Sequence, residues 1–232
     1  MKNYLEYLES IQTPKNFQRK VEYLKYNFSK YFNQKEISVL EVGPGLGEFV
    51  HFLNQKGIKT IDLIDQDKDI LQNIKQKYLV RKIFLGDISS IQIKDKYDVI
   101  FLLQVLEHIP KTKYHELLNT LYKQLNKDGK IIITVPNGNN PFSLTERYSD
   151  LTHQMLFTEN SLKELPNYCN LSKTTNLDIQ PYNIPPYSLI NIIRIILQKI
   201  IHIFIFLGLV LNGGVYSQLL TPNITLIIAK NK

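Results

Sequence analysis

Three glycines, at 43, 45 and 47, punctuate the run Val39-Leu40-Glu41-Val42-Gly43-Pro44-Gly45-Leu46-Gly47-Glu48-Phe49. The run reads as a buried strand that ends in an acidic residue, Glu41, and turns through glycine into a helix. Glycine lets a backbone turn tightly and come close to a ligand, because no Cβ stands in the way. In an open α/β sheet the crevice beyond the first strand holds a nucleotide-like cofactor. A hydride-transfer fold would want G-x-G-x-x-G, with its third glycine at 48. Glu48 stands there, and the glycine comes one residue early. Asp65 lies about 20 residues past the first glycine and ends the next apolar run, with Gln66 beside it. A carboxylate there can accept from both hydroxyls of a ribose. It would also serve as a helix N-cap or a solvated acid, a role that Asp67 offers too.

Acid–base candidates come later in the chain. Asp150 and His153 are spaced so that a carboxylate could orient an imidazole, which could then take a hydroxyl proton. The competing reading is a loop knotted by its own side-chain hydrogen bonds. Glu107 and His108 follow the fourth apolar run; a helix dipole explains Glu in a first turn well and His poorly. His153 is placed ahead of His108 as base. His51, His115 and His202 have no such context, and no metal is expected.

These residues need a scaffold that alternates strands and helices. Strands are expected at Ile37–Val42, Thr60–Ile64, Lys82–Leu85, Asp98–Leu103 and Lys130–Val135, with helices near 47–55, 68–78 and 111–126. Gly57 and Gly129 are the expected helix C-caps. Alternation of this kind predicts a mostly parallel sheet covered on both faces. Residues 1–35 read as a helical cap, with Phe17, Val21, Leu24, Phe28 and Phe32 at helix spacing. A core spans 36–181, including a polar loop at 137–157, a short helix near Ser161–Leu165 and a strand near Asn176–Ile179. An apolar helical insertion at 182–220 and a final strand within 221–232 complete the chain.

The glycine spacing after an acid-ended strand resembles motif I of the class I S-adenosylmethionine-dependent methyltransferases. The resemblance covers roughly residues 36–180 and the final strand, and leaves the insertion unaccounted for. It implies a Rossmann-like seven-stranded α/β sheet with helices on both faces and a terminal antiparallel hairpin. It also implies S-adenosylmethionine as cofactor, held by Glu41, Gly43, Gly45, Gly47, Asp65 and Gln66. Asp87 with Ile88 would contact the adenine, and Gln104 would face the methionine part. The run Asp150-Leu151-Thr152-His153, followed by Phe157-Thr158-Glu159-Asn160-Ser161-Leu162, is similar to methyltransferases of surface-polysaccharide and related small-molecule pathways. That similarity implies O-methylation of a sugar, a nucleotide-activated sugar or a related glycan precursor. A quinone or lipid precursor is the alternative acceptor, and a non-catalytic cofactor-binding scaffold the alternative class. No Asn/Asp-Pro-Pro-Tyr follows the fourth strand, which counts against methylation of nucleic-acid bases at exocyclic amines.

The chain has 232 residues, 44% hydrophobic and 21% charged, which fits one α/β domain with decoration. A lone Cys169 excludes an intramolecular disulfide and fits the cytoplasm. The segment Met1–Phe17, interrupted by Glu6 and Glu9, does not read as a signal peptide. Lysines carrying the net charge of +7 are spread beside acids, so a solvated basic surface or attraction to an anionic membrane is expected rather than a nucleic-acid partner. Leu189–Leu211 is strongly apolar, yet Asn191, Arg194, Gln198, Lys199 and His202 interrupt it. Four of them (Asn191, Arg194, Gln198 and His202) share one helical stripe. A charge at mid-membrane is costly. An interfacial helix on lipid, or a lid against the domain or a second subunit, is expected over a membrane span.

Overall fold

The structure is a computed structural model that describes residues 4–34, 36–91, 93–171, 175–213, 217 and 219–230. The ends of the expected cap and final-strand spans (1–3, 35, 231 and 232), and residues 214–216 and 218 of the insertion, lie outside the described residues. Seven strands are formed: β1 (Ser38–Val42), β2 (Thr60–Asp65), β3 (Lys82–Leu85), β4 (Tyr97–Leu103), β5 (Leu125–Pro136), β6 (Thr175–Pro181) and β7 (Asn223–Lys230). They make one sheet in the order β3-β2-β1-β4-β5-β7-β6. The first five are parallel, and β7 runs antiparallel between β5 and β6. Strand order reverses between β1 and β4, which opens a crevice at their carboxyl ends.

Alternating side chains feed two cores. Val39, Ile61, Val99 and Phe101 pack on one face with α2 (Pro14–Phe28), α3 (Glu48–Gln55) and α4 (Lys68–Lys77). Leu40, Ile100, Ile131 and Ile133 pack on the other with α5 (Tyr114–Lys123) and α7 (Glu159–Tyr168). Val21, Leu24, Phe28 and Phe32 of the cap are all buried, as their spacing predicts. The cap is not one helix. α1 (Tyr4–Ile11) stops before Thr13, which is extended because Pro14 follows it, and Thr13 caps α2 by accepting from Asn16 N at 3.1 Å.

Gly57 ends α3 as expected, with a φ of 77°. Gly129 caps nothing: α5 ends at Lys123, and the left-handed residue is Asp128, at φ 63°. Gly129 lies inside β5, where a Cβ would come within 3.0 Å of the carbonyls of Asn126 and Tyr97. The polar 137–157 loop carries an unforeseen short helix, α6 (Leu144–Ser149). The insertion folds as α8 (Leu189–Leu211), capped by Ser188, whose hydroxyl accepts from Asn191 N at 3.2 Å. By length and composition α8 could cross a membrane, but it lies against the domain along its half-buried positions.

Candidate active site

The glycine turn adopts the conformations that its composition predicts. Gly43, Gly45 and Gly47 have φ of 68°, 54° and 88°, left-handed values natural only to glycine. A Cβ on Gly43 would stand 2.7 Å from Val105 Cγ2, and one on Gly47 2.8 Å from the Tyr78 ring. Glu41, at the end of β1, is 3% exposed. Burial raises its pKa well above the usual carboxylate range, helped by the charges of Glu48 and Asp65. Its Oε2 is buried without a hydrogen-bond partner. A cradle that side chains would block and an orphaned acid beside it fit a bound polar ligand.

Asp65 ends β2 and is half-buried. One of its oxygens accepts from Asp67 N at 2.8 Å, and burial raises its pKa against the opposing pull of the Asp67 and Gln66 amides. Gln66 thus meets Asp65 through its backbone amide. Asp67 is the N-cap of α4, accepting from Asp69 N at 2.8 Å and Ile70 N at 3.3 Å, so Asp65 is not needed as a cap. Asp87 is held more firmly than expected. It accepts from Ser89 N and Oγ at 2.9 and 2.7 Å and from Lys113 Nζ at 2.8 Å. Burial would raise its pKa, but these partners outweigh it and the net shift is downward. Ile88 is buried beside it. Gln104 follows β4 in the left-handed region, at φ 54°, and its Nε2 donates to Asn223 Oδ1 at 3.2 Å.

A cavity of about 610 Å³ opens at the crevice, lined by Glu41, Gly43, Gly45 and Gln104. Asp65, Gln66, Asp87 and Ile88 lie outside its lining, along the edge towards β3. Other elements supply wall residues that the motifs do not reveal. Gln12 and Lys20, from either side of the α1–α2 break, hold Glu48 Oε1 at 3.1 and 2.9 Å. Arg19 adds a guanidinium from α2, and Arg194 and Gln198 reach the cavity from α8. The polar stripe of the insertion was the signal for these last two.

The acid–base residues gather beside β4, but not in the expected pairing. Asp150 does not orient His153. Its Oδ1 accepts from Thr152 N at 2.8 Å and Thr152 Oγ1 at 2.6 Å, the short-range turn that Asp side chains favour. These bonds lower its pKa. Thr152 Oγ1 also lies 2.7 Å from His108 Nδ1. The hydroxyl hydrogen goes to the carboxylate, so Nδ1–H of His108 donates to the hydroxyl and Nε2 keeps its lone pair. His153 Nδ1 lies 2.7 Å from the Glu146 carbonyl, which can only accept, so Nδ1–H of His153 donates to it. The two rings are 4.6 Å apart. Burial and the neighbouring His153 lower the pKa of His108, leaving it neutral and basic near pH 7.

Glu107 is wholly buried, and neither carboxylate oxygen has a partner in another residue. Burial pushes its pKa up to about 8. Its backbone carbonyl accepts from Gln154 N at 2.7 Å, pinning the 137–157 loop here. Glu107, His108 and His153 each offer one ligand atom, all within 4.8 Å of one another. Among the described residues this is the grouping whose donors would suit a divalent ion.

The methyltransferase-domain family model matches residues 8–178, and the chain belongs to that family. With this sheet order and glycine cradle it is a class I S-adenosylmethionine-dependent methyltransferase. A SAM-dependent methyltransferase from Archaeoglobus fulgidus superposes with a TM-score of 0.65 at 22% identity, over 99% of this chain and 100% of that one. The chain is 27% identical over 99 residues to the ribosomal RNA small subunit methyltransferase A of Hydrogenobaculum sp. (strain Y04AAS1), covering 43% of this chain and 38% of that protein. It is 27% identical over 139 residues to the malonyl-[acyl-carrier protein] O-methyltransferase 1 of Ilyobacter polytropus (strain ATCC 51220 / DSM 2926 / LMG 16218 / CuHBu1), covering 56% and 50%. The matches thus span half or less of these curated relatives.

Proposed function

We propose that this methyltransferase acts on a hydroxyl oxygen of a small polar acceptor, a sugar or nucleotide-activated sugar of the kind built into surface glycans. One observation carries the reading: Arg19 and Arg194 enter the cavity wall from different helices, and neither pairs with a carboxylate among the described residues. Guanidinium is the side chain best matched to phosphate. Three glutamates share this wall, Glu41, Glu48 and Glu146, and two of them compete little for these cations. Glu48 is bound to Lys20, and burial favours the neutral form of Glu41.

S-adenosylmethionine supplies a methyl group on a sulfonium sulfur, open to in-line displacement. The chain's part is to hold, orient and deprotonate. Asp65 would accept from the ribose hydroxyls, the glycine turn would admit the donor's close approach, and Gln104 would face its methionine part. His108, oriented by Thr152 and Asp150, and His153, oriented by the Glu146 carbonyl, are the two bases at hand for the acceptor proton. α6 and α8 would exclude water from the acceptor. The buried, unpaired Cys169 fits work in the reducing cytoplasm.

The test is mass spectrometry with isotope-labelled donor against separate pools of nucleotide-activated sugars and quinone precursors. Label is expected in the sugar pool, with Arg19→Ala raising KM for that acceptor more than for the donor. Label in the quinone pool alone would move the enzyme to the other acceptor class.

A further inference from the structure

We infer that α8 seats the protein on an anionic bilayer, the helix lying along the lipid surface. Thirteen of its large apolar side chains are exposed, among them Ile190 at 71%, Phe204 at 69% and Leu211 at 87%. The half-buried line of the helix runs through Asn191, Ile195, Gln198, His202, Ile205 and Leu209, in steps of four and three that keep one face against the domain. Gln198 borders both the 610 Å³ cavity and a second one of about 390 Å³ beneath the helix, which His202 also lines. Polar groups therefore turn inward and hydrocarbon outward, the reverse of a helix bathed in water. At about 1.5 Å per residue the helix is some 34 Å long. An apolar stripe of that length outgrows the patches that soluble monomers expose.

Charge identifies what covers it. α8 carries Arg194 and Lys199 and no Asp or Glu, and the whole chain carries +7. Anionic headgroups complement a helix charged in this way. A second copy does so less well. An isologous contact would bring the Arg194 and Lys199 of both helices to one apolar interface, and α8 has no carboxylate to pair them. A span would have to strip the helix from the domain and carry Arg194, Gln198, Lys199 and His202 into hydrocarbon. Further apolar groups are exposed near the cavity: Ile11 of α1, which lines it, is 55% exposed, and Leu144 and Tyr148 of α6, the helix whose Glu146 lines it, are 62% and 73% exposed. Exposed apolar groups of this kind suit a headgroup layer in which α8 lies.

Vesicle flotation tests the inference. The full chain is expected to float with vesicles of equal parts phosphatidylcholine and phosphatidylglycerol, to float weakly with phosphatidylcholine alone, and to release as salt rises. The variant Ile203→Ser/Phe204→Ser/Leu207→Ser changes only exposed positions. It should lose at least about tenfold in vesicle partition, given the apolar contact removed, while S-adenosylhomocysteine affinity stays unchanged. Lys199→Glu should erase the preference for anionic lipid. Three results would overturn the inference: no flotation with either vesicle, a concentration-dependent dimer that the triple variant abolishes, or membrane attachment that resists alkaline carbonate. None of these touches the proposed methyl transfer, which donor binding and the acceptor screen test separately.

Discussion

Asp65 illustrates how a single carboxylate can be recognised before its surroundings are known. Its place after the second strand marks it, and the structure leaves Asp67 to cap α4, with Asp65 at the end of β2 outside the cavity lining. Asp65→Ala should weaken S-adenosylmethionine and S-adenosylhomocysteine alike. Hydrogen bonds to a charged acceptor contribute about 1.5–3 kcal/mol each, so calorimetry should show at least a tenfold loss; wild-type affinity in the variant would remove Asp65 from the donor site. The acid–base partners were less legible, because Thr152 captures Asp150 and carries its influence to His108, a contact between residues 44 positions apart. Asp150→Ala and Thr152→Val should therefore lower turnover by similar factors and combine without adding, as members of one relay do. Additive losses would place them on separate paths. His153→Ala should cost roughly 10²–10⁴-fold in turnover if it takes the proton. Chelation of the wild type should leave turnover unchanged under the imidazole-base reading. A loss restored by zinc would make Glu107, His108 and His153 metal ligands instead.

Elements were legible where local pattern and tertiary environment agree. The parallel strands near the crevice are continuous apolar runs because helices cover both faces, and their positions follow from the sequence alone. β5 begins at Leu125, five residues before the expected Lys130, because a left-handed Asp128 lets the polar Asn126–Gly129 stretch join the strand. That conformation leaves no hydropathy signal. α6 is equally silent, a single short helix inside a polar loop. The tightest element-scale constraint is the turn from β1 into α3. Gly47→Ala would hold a Cβ at φ 88° and 2.8 Å from the Tyr78 ring. The left-handed conformation alone costs roughly 1–2 kcal/mol, enough to lower Tm by at least about 2–4 °C in a domain of this size. Scanning calorimetry should show that drop, and Tyr78→Ala in the same chain should recover only the steric part. An unchanged Tm would mean that the turn relaxes without loss.

The molecule as a whole is a sheet with an insertion hung from its terminal hairpin. Pro181 pairs with Ile224 across β6 and β7, so the ends of the 182–222 connection are already side by side and α8 is not needed to join the strands. Hydropathy revealed an apolar segment with a polar stripe but could not tell which side the stripe faced, since a polar stripe usually meets water. Here it meets the cavity. The same argument separates two jobs in one chain. Glu41, Asp65 and the glycine turn sit on β1, β2 and α3, with no contribution from the insertion. Arg194 and Gln198 line the cavity, on the wall that the proposed function gives to the acceptor. Replacing residues 187–216 with a flexible Gly/Ser linker should therefore leave the sheet and the donor site intact, because Leu219, Leu220 and Thr221 still bind Asn137 and Asn140 through their carbonyls. S-adenosylhomocysteine affinity by calorimetry is expected to stay within about threefold, well below the tenfold that one hydrogen bond to a charged acceptor contributes. Turnover on the acceptor and flotation with anionic vesicles should both disappear. If donor affinity instead falls as far as turnover, the insertion is part of the core fold, and α8 does not divide the molecule between a donor-holding sheet and a lipid-facing acceptor wall.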